Sequence, residues 1–391
     1  MLPLEGITVV SLEQAIAAPF ATRQLADLGA RVIKVERPGV GDFARNYDTR
    51  VNGMASHFVW TNRSKESLTL NVKHDEGTII LQKLVAEADV VVQNLAPGAA
   101  ARLGLGYDAL SKDNPGIIVC NISGYGSGGP DEKRKAYDLL VQSESGFVTT
   151  TGTPENPSKA GISIADIAAG MYAYTNILAA LMQRGKIGKG CEIDLSMLDA
   201  MTEWMSYPLY YAYEGAEPPA RAGASHATIF PYGPFVVGDG RTVILGLQNE
   251  REWKAFCETV LEAPDLTSDA RFSTNSLRAK NKVALTQIIT TSFADLTTET
   301  VIERMDRAGI ANANMNEMED VWNHVQFDAR NRWREVDTPA GRIPALLPPG
   351  GIGSEPRMNP VPGLGEHSHT LLAEIGYSEA DIAELRKEKV I

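Results

Sequence analysis

Asp166 stands between Ser163-Ile164-Ala165 and an apolar stripe of Ile167, Met171, Tyr174, Ile177, Leu178 and Leu181, whose spacing predicts a helix from Asp166 to about Arg184, ended by Gly185 and Gly188. A carboxylate at the start of a helix has two readings. It can be the N-cap, for which aspartate is among the best residues. It can also be a nucleophile, because the helix N-terminal amides and macrodipole favour the ionised form. The residue pattern alone leaves both open.

Other patterns narrow the chemistry by failing. Gly124-Tyr125-Gly126-Ser127-Gly128-Gly129 has the spacing of a dinucleotide loop. That fingerprint works where the glycines lead into a helix whose N-terminus holds the pyrophosphate, and Pro130-Asp131-Glu132-Lys133-Arg134-Lys135 follows instead. A loop shaped for close approach of backbone to some ligand remains. His57, His74, His226, His324, His367 and His369 form neither HxxxH nor HExxH, and Cys120, Cys191 and Cys257 form no CxxC pair. No metal site and no disulfide framework is therefore expected. No GxSxG elbow is present, so a serine hydrolase is not expected either. Arg37, Lys73, Arg102 and Lys135 each follow a predicted strand or helix, where they are either solvated surface or holders of phosphate.

The elements that must position these residues alternate. Ile7–Leu12, Arg31–Val35, Ser67–Val72, Asp89–Val92 and Gly116–Cys120 read as strands, with helices over Pro19–Leu28 and Glu76–Ala88 between them. Such alternation implies a parallel sheet covered on both faces, an α/β fold. Ligands bind beyond the carboxyl ends of such strands, which points to the loops after Leu12, Val35, Val92 and Ile122. Further on, Phe235-Val236-Val237 and Thr242-Val243-Ile244-Leu245 around Asp239-Gly240 read as a hairpin, followed by helices near 250–261, 280–293 and 298–308. The expected division is a large domain over 1–200, a linker over 201–228, a small α+β domain over 229–320, and a return segment over 321–391, Pro- and Gly-rich from Pro344 to Pro362, that completes the large domain. At 391 residues the chain exceeds what one core normally serves.

A net charge of −12 excludes a nucleic-acid footprint, so an anionic ligand must find local cations. Met1–Gly6 lacks a basic region followed by an apolar stretch, and no apolar run approaches a membrane span. A cytoplasmic protein, neither secreted nor membrane-inserted, is the expectation.

Ala18-Pro19-Phe20, Leu25–Gly39, Asn62-Arg63-Ser64-Lys65, Gln93–Gly98, Ser123-Gly124-Tyr125-Gly126 and Gly363–His367 together closely resemble the class III CoA-transferases, the family of formyl-CoA and carnitine CoA-transferases, over nearly the whole chain. The resemblance implies a Rossmann-like large domain built from both chain ends, a smaller domain between, and an interlocked homodimer. It places the family's nucleophilic aspartate on Asp166. Its CoA contacts fall on Ile16, Ala17, Arg37, Leu70, Lys73, Asn94, Leu95, Ala96, Arg102, Lys135 and Tyr137. Coenzyme A enters as part of the substrate, with an acyl-CoA and a free carboxylic acid as partners and no permanent cofactor. Ile16 departs from the glutamine of the formyl-CoA branch, which turns the expectation from formyl or oxalyl transfer. Arg221, His226 and Tyr47 give an acyl pocket polar enough for a second carboxylate, as in succinate, mesaconate, malate or citramalate. Two rivals share the fold. An α-methylacyl-CoA racemase needs a second base, and its histidine position is Tyr137, a poor base at neutral pH. The other rival is a non-catalytic CoA-binding protein.

Overall fold

The computed structural model describes residues 1–351 and 353–391; Ile352, in the Pro- and Gly-rich stretch, lies outside the described residues. The chain forms two compact units. The first comprises Met1–Phe147, Ala160–Tyr207 and Ala329–Ile391, and the second Val148–Lys159 and Pro208–Asp328.

The first unit is built on six strands: β1 (Thr8–Leu12), β2 (Arg31–Glu36), β3 (Lys65–Thr69), β4 (Val90–Gln93), β5 (Ile118–Ser123) and β6 (Glu192–Ser196). They lie in the order β3-β2-β1-β4-β5-β6, and every neighbouring pair is parallel. Successive side chains of a strand face opposite ways. Val9, Val32, Val90 and Ile118 accordingly enter one core, and Val10, Ile33, Val91 and Val119 the other. Burial on both faces is why these strands read as nearly unbroken Val and Ile runs.

Helices α1 (Ala17–Asp27), α2 (Asp75–Ala86), α3 (Asp138–Glu144), α4 (Ile164–Ile187) and α5 (Met197–Trp204) follow the strands. α1, α4 and α5 close the first core with Ala21, Leu25, Ala169, Ala173, Ile177 and Met201. α2 closes the second with Ile80, Leu81 and Leu84, joined by Leu371, Leu372, Ile382 and Leu385 from the last two helices. Each fully buried Leu or Ile here contributes about 1.5–3 kcal/mol relative to exposure. α4 presents small residues to α1, and at Gly170 a Cβ would come 2.7 Å from the Ala17 carbonyl oxygen. The crossing thus fixes the start of α4, where Asp166 lies about one turn before Gly170, against the start of α1. α4 is also, among the described residues, the one helix long and apolar enough to cross a membrane by length and composition. This corrects the reading that no run approaches that length; its alanine-rich face lies in the core.

The second unit has β7 (Tyr232–Val236), β8 (Thr242–Gly246) and β9 (Ala311–Asn314), antiparallel in the order β7-β8-β9. Its core holds Phe235, Trp253, Phe256, Phe272 and Phe293.

Several boundaries differ from the sequence expectation. Residues 201–207 stay in the first unit and 208–228 belong to the second, which also claims 148–159 and 321–328. The reason is a set of contacts distant in sequence. Arg221 donates to the carbonyl oxygens of Thr149, Thr153 and Pro154, and Gly223 N to that of Gly152. α4 begins two residues before Asp166 and runs through Gly185 to its C-cap Gly188, at φ +70°. The hairpin β10 (Trp333–Thr338) and β11 (Gly341–Leu346) was not foreseen; Val336 and Ile343 pack with Phe58, Ala44 and Ala55 of the first unit.

Candidate active site

At the carboxyl edge of the sheet, the strand order reverses between β1 and β4, and the loops after these two strands line a cavity of about 490 Å³. Gln14–Ala17 come from the first and Asn94–Pro97 from the second. Phe43 and Tyr47 follow β2, Ser123 ends β5 and Gly124 and Arg134–Asp138 come after it, and Ser163 and Asp166 close the wall at the start of α4. All four loops singled out from the sequence meet here.

Asp166 is the third residue of α4, not its cap. Asp138 satisfies the helix start instead: its Oδ1 accepts from the amides of Ala165 at 2.8 Å and Asp166 at 3.3 Å, while its Oδ2 accepts from Gln142 Nε2 at 2.6 Å. The capping reading of Asp166 therefore gives way, and so does the expectation that helix amides favour its ionised form. Burial and the neighbouring Asp138 carboxylate push Asp166 up to about 7. Loss of water disfavours charge, and a second carboxylate disfavours it again. Tyr47 lies close enough that burial and then the charges of Asp42 and Asp166 raise its phenol. Asp138 was present in the sequence but went unassigned, since nothing local marks a residue at the head of one helix as the cap of another.

Ile16, Ala17, Asn94, Leu95, Ala96, Lys135 and Tyr137 line the cavity that holds Asp166. Asn94 is committed to the loops themselves: its Oδ1 accepts from Gln14 N at 2.8 Å, and its Nδ2 donates to Gln14 O at 2.9 Å. Arg37, Leu70 and Lys73 line a second cavity of about 610 Å³, with Pro38–Val40, Asn71, Val72, Lys389 and Ile391. Arg102 lines neither and is exposed at the end of the short helix Ala99–Arg102. His57, missed from the sequence, faces the first cavity beside Tyr47. Arg221 and His226 are used inside the second unit. The Arg221 guanidinium is spent on three carbonyls, and His226 stacks on Tyr232 while its Nδ1 accepts from Thr228 N and Ile229 N. The glycine run 124–129 is a turn closed by Gly126 N donating to Ser123 Oγ at 2.9 Å, followed by further turns rather than a helix. Among the described residues, no group of three His, Cys, Asp or Glu side chains is placed to hold a metal.

A cavity with a buried carboxylate in its wall, lined by the loops after four strands, together with cations at a second cavity can take an acyl thioester with an anionic tail. Residues 4–368 match the family model described as CoA-transferase family III. Succinyl-CoA:glutarate CoA-transferase of Mus musculus is 35% identical, covering 100% of this chain and 91% of that protein. Succinate–glutarate CoA-transferase of Agrobacterium fabrum is 33% identical, over 95% and 96%. The crystal structure of a CAIB/BAIF family protein from Brucella suis superposes with a TM-score of 0.86 at 34% identity, over 96% of this chain and 99% of that one.

Proposed function

This chain belongs to CoA-transferase family III and moves coenzyme A between an acyl-CoA and a carboxylate acceptor; from that premise we propose that Asp166 is the covalent nucleophile and that the acids are dicarboxylates of four or five carbons. The observation that carries the first part is the placement of Asp166, in the cavity wall at the start of α4 with its carboxylate raised to about 7. A carboxylate of that basicity is a better nucleophile than a solvated one and is still substantially ionised at neutral pH.

A carboxylate oxygen of Asp166 attacks the thioester carbonyl, the C–S bond breaks, and a mixed anhydride and CoA thiolate result. The thiolate attacks the aspartyl carbonyl, releasing the donor acid and leaving an Asp166–CoA thioester. The acceptor carboxylate attacks that thioester and frees the thiolate again. Attack of the thiolate on the acceptor's acyl carbon gives the new acyl-CoA and regenerates the Asp166 carboxylate. No net proton is needed. One exchange between poor partners becomes a series of acyl transfers through activated species.

The names of the mouse and Agrobacterium relatives, which pair succinate with glutarate, support the dicarboxylate reading. With succinyl-CoA as donor, we expect glutarate, mesaconate, malate or citramalate to be used at least about tenfold better than butyrate, since a site built to bond a second carboxylate penalises its absence. A mass-spectrometric acceptor screen measures this, and equal use of butyrate overturns it. Intact-mass analysis is expected to show the CoA adduct and mass analysis of a digest to place it on the peptide holding Asp166; absence of both this adduct and a hydroxylamine-trapped acyl-enzyme overturns the covalent route.

Arg37 and Lys73 are assigned to the phosphates of CoA. Both are exposed, and both line the second cavity. Arg37→Ala and Lys73→Ala are each expected to raise KM for the acyl-CoA about tenfold, an effect that shrinks with added salt, while kcat stays within about twofold. An interlocked homodimer completes the reading, supported by the exposed apolar side chains Leu209, Tyr210 and Tyr213.

A further inference from the structure

Beneath the cavity loops lie four charged side chains, Glu13, Lys34, Asp42 and Lys65, that the reaction does not touch. Lys34 and Lys65 extend from β2 and β3, and the side chains of Glu13, Lys34, Asp42 and Lys65 are inaccessible to water. Lys34 Nζ donates to Asp42 Oδ2 at 2.7 Å and to Glu13 Oε1 at 3.2 Å; Lys65 Nζ donates to the same Glu13 oxygen at 2.7 Å. Glu13 Oε2 accepts from Thr22 Oγ1 of α1 at 2.6 Å. Burial lowers Lys65, whose Nζ also donates to Pro19 O and Asn62 Oδ1, whereas the surrounding carboxylates raise Lys34. The carboxylates on either side of Lys34 keep its ammonium charged. A buried ion set of this kind is weak support for stability, because apolar replacements often serve as well. Its retention calls for another reason.

The reason lies one bond outward. Asp42 Oδ1 accepts from Ala15 N at 2.8 Å and from Ala44 N at 2.9 Å. Ala15 has φ +62°, the left-handed region that a residue with a Cβ rarely adopts. It belongs to Gln14–Ala17, the loop that lines the cavity with Asp166 and leads into α1. The loop is also tied at Gln14, by Asn94 and by Phe43 N donating to Gln14 Oε1 at 3.1 Å. A strained turn at a site persists only where its surroundings over-determine it.

We infer that Asp42, anchored by Lys34 and through it by Glu13, is a positioning residue that holds the Ala15 turn and so sets the Gln14–Ala17 backbone against the thioester facing Asp166. This rests on the first cavity being the place of thioester attack. The anchoring atoms lie behind the loop, so they act on alignment rather than on affinity. Small misplacement of a reacting group costs large factors in rate.

The test compares steady-state transfer by the purified full chain and its Asp42→Asn variant. The carboxamide oxygen of that variant can still accept from Ala15 N, but its NH₂ group then turns towards the Lys34 ammonium, or the Ala15 bond is given up. We expect kcat to fall at least about tenfold, with KM for the acyl-CoA within about twofold and a cooperative melt above the assay temperature. Adding Ala15→Gly, which removes the penalty of the left-handed turn, is expected to restore at least about threefold of kcat. An unchanged kcat in the single variant, a rise in KM that accounts for the whole loss, or no recovery in the double variant overturns the inference. If Asp42→Asn does not fold, Thr22→Val, which removes only the hydroxyl bond to Glu13, is measured instead; an unchanged kcat there overturns it as well. The readout is transfer rate, so failure of the aspartyl route would appear separately, as absence of a CoA adduct in the parent.

Discussion

Asp166→Asn is expected to lose at least about 10⁴-fold of its CoA-transfer rate while its KM or Kd for acyl-CoA changes less than about threefold, because the variant lacks the atom that makes and breaks every covalent bond in the scheme. It should also melt higher than the parent at pH 8. In the folded protein burial and Asp138 raise Asp166 to about 7, far above the range near 4 of an aspartate in the unfolded chain. Between these values the folded state holds a proton that the unfolded state has lost, so stability from this group falls as pH rises through the window and the loss is complete above about 7. The loss is on the order of a few kcal/mol at pH 8. A neutral amide of the same shape escapes it. At pH 4, where the folded state holds the proton and the unfolded state has lost only about half of it, the two proteins should melt nearly together. Stopped-assay kinetics and calorimetry at the two pH values check the pair of expectations. A variant that kept a tenth of the parent rate would remove Asp166 from the chemistry, and one that melted lower at pH 8 would show the carboxylate to be structural.

The sheet and its loops were legible because they rest on local, periodic signals. Valine and isoleucine runs marked β1, β2, β4 and β5, and the rule that ligands lie beyond strand ends led from Leu12, Val35, Val92 and Ile122 to the cavity that forms. β6 escaped because it is an edge strand in which exposed Glu192 and Asp194 alternate with Ile193. Its pattern is that of a polar connection. The claim of 148–159 by the second unit rests on Arg221, whose use as a clamp on three carbonyls cannot be told in a sequence from use on a substrate carboxylate. Asp166 itself was visible as a carboxylate at a helix start, yet its electrostatic state was read with the wrong sign. Helix amides do favour an anion, but Asp138, 28 residues earlier, takes the amides of Ala165 and Asp166. Only the fold brings these two carboxylates together, and the second of them is what a reading by periodicity has no means of supplying.

That pairing makes the pH dependence of acyl-enzyme formation the most direct probe of the site. With Asp166 at about 7, the parent's pre-steady-state rate should fall roughly tenfold from pH 8 to pH 6, following the ionised fraction. Burial is the larger cause and Asp138 the second, so Asp138→Asn removes only part of the rise. The variant's rate is then expected to fall only about twofold over the same interval, as the nucleophile stays ionised to lower pH. Its absolute rate at pH 8 should not exceed the parent's, since a less basic carboxylate is a poorer nucleophile. The substitution keeps an acceptor for the amides of Ala165 and Asp166, so α4 retains its start. It does, however, set an NH₂ group against Gln142 Nε2, now 2.6 Å from Asp138 Oδ2, and Gln142 is not free to turn because its Oε1 accepts from Ala160 N at 2.9 Å. Two donors facing each other should lower stability by about 1–3 kcal/mol, which melting resolves from the kinetic effect. If the variant's rate fell as steeply as the parent's between pH 8 and pH 6, Asp138 would be a helix cap and nothing more, and burial alone would have to account for the basicity of Asp166.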